Sequence, residues 1–140
     1  EITFDNTGEK EWKAIEYCHD FLSMDQKGIN EHTRLLFPGA IITEEQEDGY
    51  GTRLNKYGIS WDRIPEKSFL YKFPETIDAA FAWFLYNNDS GLSVCEKLSE
   101  KPCLLQVWGD KGRIAPESFV NICLQPGEKK VWTREWFFTK

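Results

Sequence analysis

Short segments in which polar and apolar residues alternate, or in which aromatic and β-branched residues cluster, run through the whole chain. Such segments are typical of β-strands, whereas no stretch of a dozen residues holds a clean helical stripe between caps. Turn-forming sequences separate the segments, including Asn-Thr-Gly at 6–8, Asn-Asp-Ser-Gly at 88–91 and Gly-Asp-Lys-Gly at 109–112. This spacing predicts an all-β fold, a sandwich of antiparallel sheets.

The predicted strands span residues 2–6, 12–19, 33–37, 52–54, 58–61, 69–73, 80–87, 92–96, 103–108, 114–117 and 131–138. Residues 74–84 have a helical alternative, because Pro74 can open a turn and Ile77, Phe81 and Phe84 fall at helical spacing. No internal repeat, low-complexity segment or linker interrupts the sequence, so residues 1–140 are predicted to form a single domain.

The charge balance argues against nucleic acid as a partner. The formal net charge is -6, and no run of Lys or Arg exceeds two residues, so the basic surface that phosphate contacts require is missing. The longest apolar run, residues 79–86, is far shorter than the roughly 20 residues that cross a bilayer, and no signal-peptide pattern opens the chain. We therefore expect a soluble, cytoplasmic protein without a membrane partner.

Metal, nucleotide and covalent chemistry find no support in the sequence. Cys18, Cys95, Cys103 and Cys123 are widely spaced among apolar neighbours, which predicts buried free thiols in a reducing cytosol rather than zinc ligands or a redox pair. The two histidines have no metal-ligand spacing with Cys or with each other. No nucleophile elbow, phosphate loop or dinucleotide fingerprint occurs. No metal and no cofactor are expected, which leaves acid-base chemistry.

Two segments can carry such chemistry, which requires at least one acid and one base, for example a histidine and a carboxylate. His19 interrupts a strand-like aromatic run at 15–22, and Glu117 follows a proline in the extended apolar segment 114–119. Taken alone, a histidine in a strand is more often structural, and a strand carboxylate is more often half of a salt bridge. The residue types by themselves leave both interpretations open.

Several short segments follow one another in a particular order. They are Asp5-Asn6-Thr7-Gly8-Glu9-Lys10, the segment 15–22 around His19, Gly91-Leu92-Ser93-Val94, Gln106-Val107-Trp108, Pro116-Glu117 and Leu124-Gln125-Pro126-Gly127-Glu128. In order and spacing they resemble the C-terminal half of the galactose mutarotase superfamily, whose members include the aldose 1-epimerases. The resemblance extends over nearly the whole chain.

The resemblance implies a part of the large mutarotase-like β-sandwich and a function. His19 matches the family's general acid, Glu117 matches its general base, Gln106 falls where a sugar hydroxyl is held, and Trp108 would supply an apolar platform. The implied reaction interconverts the anomers of a monosaccharide or sugar derivative without a cofactor. Family members are longer, and their N-terminal half completes the sugar site, so residues 1–140 are expected to be the C-terminal half of a longer domain.

Two other functions remain open at this point. The same sandwich can be a carbohydrate-binding module that grips a sugar without catalysis, with His19 and Glu117 serving only as hydrogen-bonding groups. It can also be an interaction domain whose exposed strand edge pairs with a partner, either an N-terminal half chain or a second copy.

Overall fold

The computed structural model describes residues 1–24, 26–40, 46–56, 58–77 and 79–140. Within these ranges the chain forms strands and no helix, which confirms the all-β prediction. The strands are β1 (Ile2–Asp5), β2 (Trp12–Glu16), β3 (Thr33–Leu36), β4 (Gln46–Glu47), β5 (Thr52–Asn55), β6 (Gly58–Trp61), β7 (Phe69–Phe73), β8 (Trp83–Asn87), β9 (Ser93–Leu98), β10 (Leu104–Gly109), β11 (Ile114–Leu124), β12 (Lys129–Trp132) and β13 (Arg134–Thr139).

Two antiparallel sheets face each other. The smaller has four strands in the order β2-β11-β10-β7, and the larger has seven in the order β13-β9-β8-β3-β6-β5-β4. β1 and β12 form a separate two-stranded ribbon. All of the strand pairs among the described residues are antiparallel, as in sandwiches that bury one face of each sheet and leave the other to solvent.

The sequence of β11 shows how alternation assigns side chains to the two faces of the four-stranded sheet. Val120, Ile122 and Leu124 are buried between the sheets, whereas the intervening residues Asn121 and Cys123 are exposed on the outer face. Because side chains alternate along a strand, Glu117 and Phe119 also belong to the outer face, and Ser118 belongs to the inner one. This assignment places the candidate base on the solvent side of the sheet.

Aromatic side chains join the two sheets in the core. The rings of Phe37 and Phe73 lie 4.8 Å apart, and those of Trp61 and Phe69 lie 5.8 Å apart, each pair linking one sheet to the other. Leu35, Leu85, Leu105, Val107 and Val120 are fully buried among them. Each such side chain removed from water stabilises the fold by about 1.5–3 kcal/mol, so this interior is the main support of the sandwich.

Several predicted boundaries are wrong for reasons of sheet pairing. The strand predicted over 131–138 is two strands, because the chain leaves β1 and joins β9 at Thr133. The strand predicted to end at Glu117 runs on to Leu124, since β2 pairs with its second half. The strand predicted over 12–19 ends at Glu16, so His19 lies beyond it.

The helical alternative for 74–84 is not realised in the described residues there, because Thr76 bridges Ala40 and β8 already begins at Trp83. Position 78 lies outside the described residues. All four cysteines are free thiols, as expected, but they are not buried. Cys123 is exposed because it lies on the outward face of β11, and the other three are half-buried.

Candidate acid-base site

The candidate base lies at the middle of the four-stranded sheet. Glu117 on β11 and Gln106 on β10 are cross-strand partners, so their side chains project from the same outer face. The next outward residue of β10 is Trp108, opposite Ala115. The ladder of β10 and β11 therefore fixes the relative positions of three of the four residues that the sequence singled out.

The fourth, His19, lies in the segment that follows β2. That segment is anchored at its far end by paired backbone hydrogen bonds, with Leu22 N donating to Ile114 O at 2.8 Å and Ile114 N donating to Leu22 O at 2.9 Å. Held between β2 and this bridge, the segment passes over β11. The Nε2 atom of His19 lies 3.2 Å from Oε1 of Glu117.

Glu117 is buried but has a partner for each oxygen. Its side chain is only 2% exposed, while that of His19 is 40% exposed. Oε1 faces His19, and Oε2 accepts a hydrogen bond of 2.6 Å from the amide nitrogen of Gln106. A buried carboxylate is costly unless it is paired and hydrogen-bonded, and these two contacts meet that need. A small molecule can therefore reach His19 and Glu117 from the exposed side of the imidazole.

Aromatic rings surround His19. The centroid of Phe21 lies 4.5 Å from the imidazole, and that of Trp108 lies 6.4 Å from it in an edge-on arrangement. Phe21 and Trp108 also meet edge to face at 5.6 Å. Tyr17 stacks on Phe119 at 4.5 Å beside them. Together these rings form an aromatic wall, which consists of Tyr17, Phe21, Trp108 and Phe119. Tyr17 and Phe21 are about half exposed, so the aromatic wall offers apolar faces to a ring-shaped ligand.

A cation closes one end of this wall. The guanidinium of Arg113 lies 5.1 Å from the centre of the Phe21 ring and 5.9 Å from that of Trp108, within the range of cation–π attraction. Asp110 holds it through a hydrogen bond of 3.1 Å. Arg113 therefore contacts both of the rings that face His19.

A second polar cluster lies behind the site, between the sheets. The carboxylate of Glu96 is 2% exposed and accepts hydrogen bonds from Trp83 Nε1 at 3.0 Å, from Ser118 Oγ and from Arg134. Arg134 also binds Glu16. Burial raises the pKa of Glu96, and the charge of Arg134 together with the hydrogen bonds from Ser118, Arg134 and Trp83 offsets that effect only in part.

The structure thus brings His19, Glu117, Gln106 and Trp108 together in one place. Sequence reasoning did not assign Tyr17, Phe21 or Arg113 to the site. The first two had a signal, because they alternate with His19 at positions 17, 19 and 21, a spacing that puts all three on one side of an extended segment. The third had none, because it lies in the turn between β10 and β11, outside the alternating pattern of either strand.

The arrangement is suited to proton transfer. An imidazole and a carboxylate in hydrogen-bonding contact, one exposed and one buried, can donate and accept protons at adjacent atoms of a ligand.

In the described part of the chain no group of three or more His, Cys, Asp or Glu residues could hold a metal ion. Those same residues contain no helix long and apolar enough to span a membrane.

Comparisons with known proteins establish the fold of the chain. No family model matches the sequence, and no curated protein matches it. Among solved structures, the chain is similar to the Slr1438 protein from Synechocystis sp. PCC 6803, with a TM-score of 0.71 and 12% sequence identity. The match covers 98% of this chain and 48% of that one, so the chain spans about half the length of its structural neighbour. At this identity the similarity shows a shared fold and says nothing of chemistry.

Proposed function

We propose that this chain carries the acid-base pair of an aldose 1-epimerase-like activity, which interconverts the α and β anomers of a monosaccharide or sugar derivative. The contact of 3.2 Å between His19 and the buried Glu117 carries the proposal. These are the two residues that the family resemblance names as acid and base, and they are distant in the sequence. Gln106 and Trp108, the two residues it suggests for sugar binding, lie beside them.

The reaction needs a carboxylate and a protonated imidazole at its start. Glu117 takes the proton from the anomeric hydroxyl while His19 donates one to the ring oxygen, so the ring bond breaks and an aldehyde forms. Rotation about the C–C bond next to the aldehyde carbon then turns the other face of the aldehyde toward the hydroxyl that was the ring oxygen. Ring closure then returns the proton of the hydroxyl to His19 and that of Glu117 to the anomeric oxygen, which restores both groups.

The neighbouring side chains suit a sugar as the ligand. The amide nitrogen of Gln106 is used by Glu117, which leaves its amide oxygen to accept a hydrogen bond from a sugar hydroxyl. Trp108 and Phe21 can cover the apolar face of the pyranose ring. Because His19 and Glu117 are in direct contact, the sugar enters from the exposed side of the imidazole and replaces that contact with its own hydroxyl and ring oxygen.

The proposal includes a longer protein. In the family that the sequence resembles, an N-terminal half adds residues to the sugar site, and we propose the same for the protein that contains this chain, with residues 1–140 as its C-terminal half. A reducing, cytoplasmic setting is part of the proposal, because the chain keeps four free thiols.

The test is polarimetry of freshly dissolved α-glucose and α-galactose with the protein that contains this chain. A general acid or base contributes typically 10²–10⁴-fold in rate, so His19→Ala or Glu117→Ala should each nearly abolish the catalysed mutarotation. His32→Ala is the matched control, since His32 is exposed and its imidazole faces Glu31. Near-normal rates in both site variants would overturn the assignment.

A second candidate is a carbohydrate-binding module without catalysis. The observation that favours it is the half-exposed aromatic wall, which can bind a sugar whether or not a proton moves. Titration calorimetry with galactose separates the two. Binding that persists in Glu117→Gln, together with an uncatalysed mutarotation rate for the unmodified protein, would support the binding module in place of the enzyme.

A further inference from the structure

Arg134 reaches both pieces of backbone that carry the acid-base pair, although it belongs to the opposite sheet. Its side chain is 3% exposed. Nε and Nη2 donate to the two carboxylate oxygens of Glu16 at 3.2 and 2.8 Å, and Nη2 also donates to the backbone oxygen of Ser118 at 2.6 Å. The remaining nitrogen, Nη1, donates to Glu96 at 2.5 Å. One guanidinium therefore contacts β2, β9 and β11 together.

The positions of these contacts along the chain are significant. Glu16 is the last residue of β2, directly before the segment that carries His19. Ser118 is the next residue after Glu117 on β11. Its hydroxyl donates to Glu96 at 2.5 Å, so both its side chain and its backbone oxygen are held from the inner face. The same backbone presents Glu117 to the outer face.

The cluster is a poor choice if stability alone is needed. It buries the Glu96 carboxylate and the guanidinium and leaves Glu16 only 16% exposed, and the loss of hydration of such charges offsets much of their mutual attraction. Apolar side chains of similar volume would fill the space as well or better. A planar guanidinium that bonds a carboxylate through two nitrogens at once fixes direction as well as distance, which apolar contacts do not.

We propose that Arg134 is a positioning residue, which sets the separation of His19 and Glu117 by holding Glu16 and Ser118 from the inner face of the sheet. The effect of Arg134 on the separation of His19 and Glu117 is argued from its contacts alone. The effect of Arg134 on turnover rests on the proposed function. Arg134 lies between the sheets, away from the outer face that carries His19 and Glu117, and acts through the two strands that it holds.

Arg134→Lys and Glu16→Gln test the proposal, because each keeps a polar group of similar size but loses the two-nitrogen bond to a carboxylate. Arg53→Lys is the matched control, since Arg53 also joins two carboxylates, those of Glu47 and Asp62, but at the surface of the larger sheet. Circular dichroism and thermal melting establish that each variant folds. If Arg134→Lys does not fold, Glu16→Gln alone decides.

The first readout needs no activity. Diethylpyrocarbonate acylates a free imidazole nitrogen, and mass spectrometry follows it separately at His19 and His32, the only two histidines. Their side chains have similar exposure, 40% and 49%, so His32 is an internal reference. We expect the acylation rate of His19 relative to that of His32 to rise by up to about tenfold in Arg134→Lys and Glu16→Gln, because Nε2 moves away from Glu117. The ratio should stay constant in Arg53→Lys. Folded variants with an unchanged ratio would overturn the proposal.

The second readout is kinetic. A displacement of about 1 Å between reacting groups can cost about 100-fold in rate, so kcat should fall by up to that factor in folded Arg134→Lys while KM changes far less. A fall confined to thermal stability, with kcat and the His19 modification ratio unchanged, would make Arg134 a structural residue only. If the unmodified protein shows no mutarotase activity, the proposed function fails, and the chemical modification still decides whether Arg134 positions His19.

Discussion

Glu117 and Glu96 are two carboxylates with the same 2% exposure on either side of one strand, β11, yet their surroundings differ. Glu96 is enclosed by Arg134, Ser118 and Trp83, all of them held between the sheets. Glu117 has one amide partner and one imidazole that is itself 40% exposed. The two carboxylates are therefore equally buried but differ in their access to a ligand, because of the two only Glu117 has an exposed partner that a ligand can replace.

The largest expected effect separates the two carboxylates by function. Glu117→Gln keeps the size of the side chain and removes the base, so catalysed mutarotation should fall by about 10²–10⁴-fold while the melting temperature changes little. Glu96→Gln should do the reverse, with a lower melting temperature and a smaller loss of rate. Polarimetry and differential scanning calorimetry on both variants measure the contrast. Equal effects of the two substitutions on rate would remove the distinction between the carboxylates.

The second expected effect concerns the enclosed side. Arg134→Met leaves Glu16 and Glu96 without their cation, and the removal of one partner from a buried ion pair typically costs about 3–5 kcal/mol. Urea unfolding followed by tryptophan fluorescence gives the free energy directly. Arg113→Met is the control, because Arg113 is exposed and pairs with Asp110 at the surface, so its loss should cost under about 1 kcal/mol. Similar losses in the two variants would contradict this view of the enclosed cluster.

How much of this contrast the sequence predicted depends on the range of the interactions. Alternation along β11 is local, so it indicated the sandwich and the extended segment containing Glu117. The resemblance supplied the pairing of His19 with Glu117, which no local pattern could give. Arg134 and Glu16 are 118 positions apart, and no spacing rule links them. The change of sheet at Thr133 was missed because aromatic and β-branched residues lie on both sides of it and no Gly or Pro marks a break.

A smaller effect is expected at the open side of the site. Trp108→Ala removes a ring that faces His19 and Phe21, and such ring contacts are worth about 0.5–1.5 kcal/mol beyond the buried area. KM for the sugar should rise by up to about tenfold, with a smaller change in kcat. Initial rates over a range of galactose concentrations measure both constants. Trp12→Ala is the control, because Trp12 is a half-exposed ring at the start of β2 that stacks on Phe4. A change in kcat alone for Trp108→Ala would assign the ring to positioning His19.

The smallest effect is the pH dependence of the enclosed carboxylate. Burial raises the pKa of Glu96 in the folded protein, so the folded state holds its proton more tightly than the unfolded chain does. Glu96 therefore contributes most to stability at low pH, and that contribution is lost as the pH rises from the unfolded pKa through the folded one. Unfolding free energies of wild type and Glu96→Gln from pH 4 to pH 7 should shift in favour of the variant as pH rises. A shift in the opposite direction would show that Arg134 outweighs burial.

Magnetisation exchange between the α and β anomeric protons of galactose at equilibrium measures the proposed interconversion by His19 and Glu117. This NMR measurement detects interconversion without a starting anomer and separates it from binding, which only broadens the lines. We predict exchange peaks that grow with the concentration of the protein containing this chain and disappear with Glu117→Gln. Protein-independent exchange, or exchange that survives in Glu117→Gln, would show that this pair does not catalyse the interconversion.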